Sequence, residues 1–175
     1  FDPVKDLEPV AVLSNVPALF VAHPKVPANN LQELVAYSKK NPDKLNYGAA
    51  VLYGQVLGQQ LKTVSGLTYT YVPYKGAAEA LQAVVAGHLD FMMLDIQTGL
   101  GFLKDGRLKA LAITSASRHP TLPDVPTVGE MGWPDLQMNV WYGMFAPAGT
   151  PPAMIEKMNS SVIKVTSEPA LRKRL

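Results

Sequence analysis

Residues 68–95, TYTYVPYKGAAEALQAVVAGHLDFMMLD, decide the fold, because they contain two strand patterns separated by one helix pattern. Residues 68–72 are rich in Thr, Tyr and Val, which favour strands, and turn residues follow at 73–76. Residues 77–86 then have the composition of a short helix that ends at a glycine. Residues 91–94 are entirely apolar, as expected of a strand that is buried on both faces. The stretch therefore predicts a β-α-β unit.

The same alternation continues on both sides of this unit. Residues 45–47 and 108–113 have strand patterns, and residues 53–64 and 96–103 have helix patterns. The sequence from about 45 to 114 thus predicts β-α-β-α-β-α-β, which is typical of a parallel sheet with right-handed crossovers. Outside it we expect strands at 8–14, 18–22 and 139–146, and helices at 31–41, 152–166 and from 168 onward.

The composition is that of a globular domain with little net charge. Its 16 Lys and Arg residues against 14 Asp and Glu give a formal charge of +2, and hydrophobic residues make up 47%. A nucleic-acid-binding surface would need a basic stripe, which this balance does not supply. The longest uncharged run, 136–155, contains three prolines and so predicts no membrane-spanning helix. Because the sequence has no cysteine, disulfides, thiolate catalysis and cysteine–zinc sites are excluded.

The sequence contains no familiar catalytic motif. A nucleophile elbow, a Walker loop, a dinucleotide-binding glycine motif and a zinc-protease motif are all missing. His23, His88 and His119 lie far apart, and a working general base needs an orienting partner. We therefore expect the three histidines to be structural or exposed, and we assign no catalytic residue and no metal ligand.

Two strand-to-helix loops have the geometry of anion-binding sites. They are residues 48–50, Gly-Ala-Ala, and residues 74–78, Tyr-Lys-Gly-Ala-Ala. Parallel sheets bind ligands outside the carboxyl ends of their strands, where helix N-termini present unpaired backbone N–H groups. Small residues leave room for a carboxylate or phosphate to approach. Such loops also occur as simple connections, and Lys75 either adds charge to a site or is solvated, so both interpretations stay open.

Three further features allow two interpretations each. Asp95 precedes the helix expected at Ile96, so it caps that helix or faces a cleft and meets a ligand amine, hydroxyl or water. Trp141 and Tyr142 are core residues of a strand or cover the apolar part of a ligand. Tyr53 plugs or lines the same cleft.

The proline-rich residues 115–134 are typical of a segment that crosses between two lobes rather than of a core. We expect residues 22–115 to form one α/β lobe, and residues 1–21 and 116–175 to supply part of another lobe with the crossing segments. The first residue is not Met and the sequence stops in a helix-like basic stretch, so both ends are expected to be cuts in a longer protein. Exposed sheet edges then predict that the native protein contains the missing segments or that the fragment self-associates.

The sequence also contains six characteristic blocks, which are FDPVKDLEPV (1–10), NPDKLNYG (41–48), VPYKG (72–76), LKALAIT (108–114), LPDVPT (122–127) and FAPAGTPP (145–152). In this order, and over essentially the whole chain, they resemble the Bug-type solute-binding receptors of tripartite tricarboxylate transporters, the TctC family.

The resemblance implies a fold like that of type II periplasmic binding proteins, in which two α/β lobes trap a ligand between them. It implies a small carboxylate as ligand (a dicarboxylate, tricarboxylate, amino acid or aromatic acid), held mainly by backbone N–H groups. The receptor would hand this solute to the membrane permease subunits of the transporter, with no cofactor, no catalysis and no membrane insertion. The family's chain is longer on both sides, and its first ligand loop would precede Phe1. The ligand-binding candidates are Gly48, Ala49, Ala50, Tyr53, Gln55, Tyr74, Lys75, Gly76, Ala77 and Asp95.

Residues 49–55, AAVLYGQ, depart from the family's pattern. The loop is slightly shorter, lacks the family's serine hydroxyls, and has Gln55 near the place of a histidine. This departure leaves open a different acid, a weaker site or no binding. A ligand-sensing domain coupled to a signalling partner and, as a lesser alternative, a small α/β enzyme also stay open.

Overall fold

The computed structural model describes residues 1–50 and 52–168, and in them the chain forms strands and helices in alternation. The strands are β1 (Leu7–Ala22), β2 (Asn46–Ala49), β3 (Thr70–Pro73), β4 (Phe91–Asp95), β5 (Lys109–Ile113) and β6 (Asn139–Pro147). The helices are α1 (Leu31–Lys40), α2 (Leu52–Ser65), α3 (Ala77–Val85), α4 (Ile96–Lys104) and α5 (Pro152–Thr166), with a 3-10 turn at Pro134–Leu136. None of these helices is long and apolar enough to cross a membrane.

The predicted α/β class is confirmed, with one difference at β1. The strands expected at 8–14 and 18–22 form one continuous strand, so Pro17 does not break it. Pro17 lies just before Ala18, the first residue paired with β4, where its missing N–H removes no bond of that ladder. The helix predicted from 168 onward lies outside the described residues.

The main sheet is mixed. Its strand order is β3-β2-β4-β1-β5, and β6 pairs with β1 outside this path. Strands β3, β2 and β4 are parallel, as predicted. The expectation of a parallel sheet needs correction at β1, which is antiparallel to both β4 and β5. No crossover helix joins β1 directly to either neighbour, so the connection does not impose a parallel direction.

The chain divides into two compact units, Pro17–Asn139 and Phe1–Val16 with Val140–Leu175. The first boundary lies near the predicted one at 21, whereas the second lies well beyond the predicted one at 115. In the larger unit the central strands bury both faces. Phe20 and Met93 pack into a cluster with α1 and α2, and Leu19 and Leu94 pack into a second cluster with α3 and α4.

The proline-rich segment contributes to the core of the larger unit, which corrects its interpretation as a mere crossing. Val128, Met131 and Leu136 are buried in the α1–α2 cluster. Glu130 accepts a hydrogen bond from the Thr127 N–H at 2.8 Å and donates its own N–H to Thr127 Oγ1 at 3.1 Å. This reciprocal capping box closes a tight turn without regular secondary structure.

Asp90 secures the amino-terminal edge of the parallel strands. Its buried carboxylate accepts the Asn46 N–H at 2.8 Å, and Lys25 Nζ lies 3.4 Å from its other oxygen. The start of β2 is therefore held to the start of β4.

The smaller unit contains few buried side chains. Asn159 Nδ2 of α5 donates to the Val10 carbonyl at 2.7 Å, and the Ala148 N–H donates to the Asp6 carbonyl at 2.9 Å. Among its described apolar residues, only Val10 and Ala146 are buried.

Candidate anion-binding site

The candidate site lies at the carboxyl ends of β2, β3 and β4. Ala49 pairs with Pro73 at the end of β2 and β3, and Tyr47 pairs with Phe91 in the neighbouring ladder. Because these three strands are parallel, their carboxyl ends meet at one edge of the sheet. The register therefore brings the 48–50 and 74–78 loops to the same edge, with Asp95 at the end of β4.

The two loops are joined through the Ala49 carbonyl. It accepts hydrogen bonds from the Tyr74 N–H and from the Tyr71 hydroxyl, both at 3.1 Å. Gly48 is buried, and a β-carbon there would collide with Leu89. These contacts fix the backbone at the end of β2, while Ala50 stays half-buried and Val51 lies outside the described residues.

Two tyrosines sit beside the first loop. The Tyr47 hydroxyl donates to the Gly54 carbonyl at 2.7 Å, and its burial raises the pKa of Tyr47 well above the usual range. Tyr53, in the first turn of α2, packs against the α1–α2 cluster, and burial raises its pKa to about 12. Its hydroxyl therefore keeps its proton at neutral pH, and in the described part of the chain this buried oxygen has no hydrogen-bond partner. Gln55 lies two residues further along α2 and is exposed.

The start of α3 is open to an anion. Gly76 is in extended conformation at the N-cap position, and no side chain among residues 1–50 and 52–168 caps the helix. Within the same residues, no atom lies within 4 Å of a β-carbon built on Gly76. The backbone N–H of Ala77 lies at the positive end of the helix dipole. It has no hydrogen-bond acceptor within the helix. Lys75 is exposed, as is Ala77, and Tyr74 is half-buried.

Glu79 is a neighbour of this helix end that sequence reasoning missed. Its carboxylate lies 3.4 Å from the Lys75 N–H. It therefore adds a negative charge within the first turn of α3. A Glu at the third position of a predicted helix, as in a capping box, is the sequence signal that could have indicated this contact.

Asp95 caps α4. One carboxylate oxygen accepts the Thr98 N–H at 2.8 Å, and the other accepts the Thr98 hydroxyl at 2.7 Å. The interpretation of Asp95 as a helix cap therefore describes the structure. Its role toward a ligand stays a prediction. Trp141 and Tyr142 are each 58% exposed in this structure, so neither packs into the core of these residues, and both interpretations stay predictions.

Ionisable side chains do not cluster at this edge in the described part of the chain. Among the described residues, no three His, Asp or Glu side chains lie close enough together to hold a metal ion. His119 bonds to Thr121, two residues away, at 2.7 Å. What the edge offers is backbone N–H groups at the start of α3, which are suited to an anion and are found in many solute-binding proteins.

The comparison with known families makes this class specific. Residues 1–175 match the model of the TctC family, described as the tripartite tricarboxylate transporter family receptor, and the chain belongs to this family. The resemblance stated from the sequence blocks is thus confirmed. The family is one of transport receptors and not of enzymes, as expected.

Proteins of similar sequence and proteins of similar structure support the same family assignment. A UPF0065 protein of Bordetella pertussis is 35% identical over 169 residues, which are 95% of this chain and 52% of the relative. MatC from Rhodopseudomonas palustris, solved with bound malate, is 35% identical with a TM-score of 0.86, over 100% of this chain and 60% of MatC. An R. palustris protein solved with adipate is 30% identical with a TM-score of 0.88, over 100% of this chain and 59% of that protein. The chain spans about half the length of the curated relatives it matches.

Proposed function

We propose that residues 1–175 belong to an extracytoplasmic receptor that captures a small dicarboxylate and delivers it to the permease of a tripartite tricarboxylate transporter. Membership of the receptor family supports the role, and malate and adipate, the ligands of two similar proteins, are both dicarboxylates. The observation that carries the proposal on this chain is the uncapped start of α3 beside the 48–50 loop.

In this proposal the backbone does most of the binding. The N–H groups of Ala77 and Ala78 donate to one carboxylate of the solute at the positive end of α3. The candidates Gly48, Ala49 and Ala50 shape the neighbouring loop, and Tyr53 follows it in the first turn of α2 with its protonated hydroxyl buried. Tyr74, Lys75 and Gly76 form the turn that presents the helix end. Gln55 and Asp95 are the weakest members, because Gln55 is exposed and Asp95 already caps α4.

The partners follow from the role. A receptor of this family would bind its solute in a cleft between two lobes in the periplasm and hand it to membrane permease subunits. No contact with nucleic acid and no insertion into the membrane is part of the proposal. A sensor with the same site would bind the same acids, so the partner, and not the ligand, separates the two functions.

The proposal is tested by titrating the 15N-labelled chain with malate or adipate and following its backbone amide signals. This readout detects binding in the millimolar range and locates it. We expect saturable shifts at Gly76, Ala77 and Ala78, and none with the neutral dimethyl esters. Equal shifts with the esters, or shifts confined to residues away from the 48–50 and 74–78 loops, would overturn the proposal.

Ala77→Pro provides the sharpest variant. Proline at the first position of a helix fits the helical backbone but removes the N–H donor. Gly76 already has the extended conformation that a following proline requires. A hydrogen bond to a charged group contributes about 1.5–3 kcal/mol, so the affinity should fall by at least about tenfold. Ala77→Gly, which keeps the N–H, is the matched control and should change the affinity little.

A further inference from the structure

The exposed cationic side chains of the larger unit gather at one edge of its sheet. Strands β2, β3 and β4 are parallel, and β5 has the same direction because both β4 and β5 are antiparallel to β1. Each of these strands follows a helix, so α1, α2, α3 and α4 all end at the amino-terminal edge, opposite the candidate site. Six exposed cationic side chains lie at these helix ends or in the turns after them, and we call them the basic edge: Lys39, Lys40, Lys44, Lys62, Lys104 and Arg107.

The ends of α1 and α2 form one side of the basic edge. A β-carbon on Gly66, the residue after α2, would lie 3.4 Å from Lys39 Cε, so the two helix ends are neighbours. Lys62 Nζ lies 5.4 Å from the centroid of the Tyr69 ring. This contact uses one side of the ammonium group and leaves the rest of it open to solvent, since Lys62 is exposed.

The end of α4 and the start of β5 form the other side. The Arg107 guanidinium carbon lies 5.2 Å from the centroid of the Phe102 ring, and the Lys109 ammonium donates to the Val26 carbonyl. The first residues of β3 and β5 are four strand spacings apart, or about 20 Å. The basic edge is therefore too wide for a small anion to cover, whereas an extended surface can meet several of its charges at once.

Carboxylates neutralise little of the basic edge. Asp43, Asp90 and Asp105 lie near it in the chain, but Asp90 is buried and pairs with Lys25. Among the described residues, none of the six cationic groups has a carboxylate oxygen within 4.0 Å. Six exposed cations therefore stand against two exposed carboxylates, a separation that the formal charge of +2 for the whole chain conceals.

Helix dipoles account for only part of this charge. A lysine in the last turn stabilises the negative end of a helix, and Lys62 of α2 and Lys104 of α4 fit this role. Helix α1, however, has two lysines in its last turn, and Lys44 and Arg107 lie beyond the helix ends. The basic edge thus carries more positive charge than its helices use.

We propose that the basic edge holds the protein against the surface of an anionic lipid bilayer, without insertion. Five of its six members are lysines, whose hydrated point charges are attracted to headgroups without directional bonding. Each basic residue close to an anionic bilayer strengthens binding about fivefold. The candidate site lies at the opposite edge of the sheet and stays open to solvent in this arrangement.

Other macromolecules fit the basic edge less well. A stable protein interface needs buried apolar or aromatic anchors. In the described part of the chain, Val64 is the one large apolar side chain exposed in the last turns of α1 to α4, and it is only 36% exposed. A single-stranded nucleic acid needs exposed aromatic rings, and Tyr69 is half-buried. The same lack of exposed apolar groups favours contact with headgroups over insertion.

The proposal is tested by sedimenting the 175-residue chain with lipid vesicles at low ionic strength. We expect binding to vesicles of equal parts phosphatidylglycerol and phosphatidylcholine, and none to vesicles of phosphatidylcholine alone. Added salt should weaken the binding severalfold, because it screens exposed charges. Equal binding to the two kinds of vesicle, or none to either, overturns the proposal. Tight binding of a DNA duplex without binding to the anionic vesicles would assign the basic edge to nucleic acid and also overturn it.

A triple variant tests the place of contact. Lys39→Gln, Lys40→Gln and Lys44→Gln together remove half of the basic edge from exposed positions. At about fivefold per charge, the affinity for the anionic vesicles should fall about a hundredfold. A melting temperature close to that of the unchanged protein shows that the variant is folded.

Two further triple variants remove the same charge elsewhere. Lys5→Gln, Lys157→Gln and Lys164→Gln change exposed lysines of the smaller unit and should lower the affinity less than about fivefold. Replacing the basic residues 172–174 with Gln should likewise have a small effect. An equal loss in all three variants would show that only net charge matters, and a loss confined to the 172–174 variant would assign binding to those residues. Either result overturns the proposal.

The orientation of the bound protein gives an independent measurement. Because the chain has no cysteine, a dye can be attached at Thr63→Cys in the last turn of α2 or at Ala116→Cys beyond the carboxyl end of β5, both exposed positions. Energy transfer to acceptor lipids in the anionic vesicles should be stronger from residue 63 than from residue 116. Equal or reversed transfer contradicts the proposed orientation. None of these measurements uses a dicarboxylate, so they succeed or fail independently of the proposed function.

Discussion

The two units of the chain use similar apolar sequences in different ways. In the larger unit, the run Leu19–Ala22 is completely buried, because helices cover both faces of the central strands. In the smaller unit, β6 carries equally large side chains, yet Trp141 and Tyr142 remain mostly exposed. The apolar pattern of a strand therefore predicts that its faces can be buried, but not which elements bury them.

The largest test of this difference replaces one phenylalanine in each unit. Phe20→Ala removes a fully buried ring and should lower the free energy of unfolding by about 3–5 kcal/mol. Phe145→Ala removes a ring that is 43% exposed and should cost less than about 1 kcal/mol in this chain. Denaturant unfolding measures both. Similar losses in the two variants would show that the units are equally well packed.

A glycine pair tests how tightly the larger unit is packed. In Gly58→Ala, the new β-carbon of α2 would collide with the Tyr47 ring, so the substitution should cost about 1–3 kcal/mol. In Gly101→Ala on α4, no described atom lies within 4 Å of the new β-carbon, so the better helix propensity should stabilise by about 0.5–1 kcal/mol. Thermal unfolding should show shifts of opposite sign. A stabilising Gly58→Ala would mean that α2 is free to move away from β2.

Asp90 tests the polar contacts of the same unit. Asp90→Asn keeps an acceptor for the Asn46 N–H but removes the ion pair with the half-exposed Lys25, and should cost about 1 kcal/mol. Asp124 is exposed, so Asp124→Asn should change the stability by less than about 0.5 kcal/mol. Urea titrations of both variants measure the two changes in the free energy of unfolding. Equal effects would remove the structural role assigned to Asp90.

The smallest expected effect is a pH dependence at the amino-terminal edge of the sheet. His23 accepts the Lys25 N–H through Nδ1, and partial burial, followed by the Lys25 and Lys109 charges, lowers its pKa from 6.5 despite an opposing effect of Asp90. Between pH 6.5 and this lower pKa the unfolded chain binds the proton and the folded chain does not. The stability present above pH 6.5 is therefore lost progressively as the pH falls.

Melting temperatures measured from pH 7.5 down to pH 5 test this expectation. The decline should be shallower in His23→Gln than in the unchanged protein. Glu130 does not interfere, because hydrogen bonds from Thr127 and Arg118 lower its pKa from 4.5 and its contribution is lost only at lower pH. An unchanged slope in His23→Gln would assign the pH dependence to other groups.

The patterns in the sequence were sufficient to predict the positions of individual strands and helices. Short apolar runs alternating with helix patterns predicted the strands and helices between 45 and 114. The antiparallel direction of β1 could not be predicted, since a buried strand has the same apolar pattern in either direction. The contact between Tyr71 and the Ala49 carbonyl depends on the register of two strands, which no local pattern contains. The exposure of Trp141 could not be predicted either, because it depends on which elements pack on β6, and the apolar pattern of a strand does not contain that information.

The free end of α3 also affects how any binding measurement on this protein must be made. In the proposed site, an acid on the Ala77 and Ala78 N–H groups would do the work of the N-cap side chain that Gly76 lacks. Helix α3 is already formed without it, so the expected effect is a more stable first turn, in which hydrogen exchange should slow as the site fills. Phosphate, acetate and sulfate are also anions and would compete with the solute there.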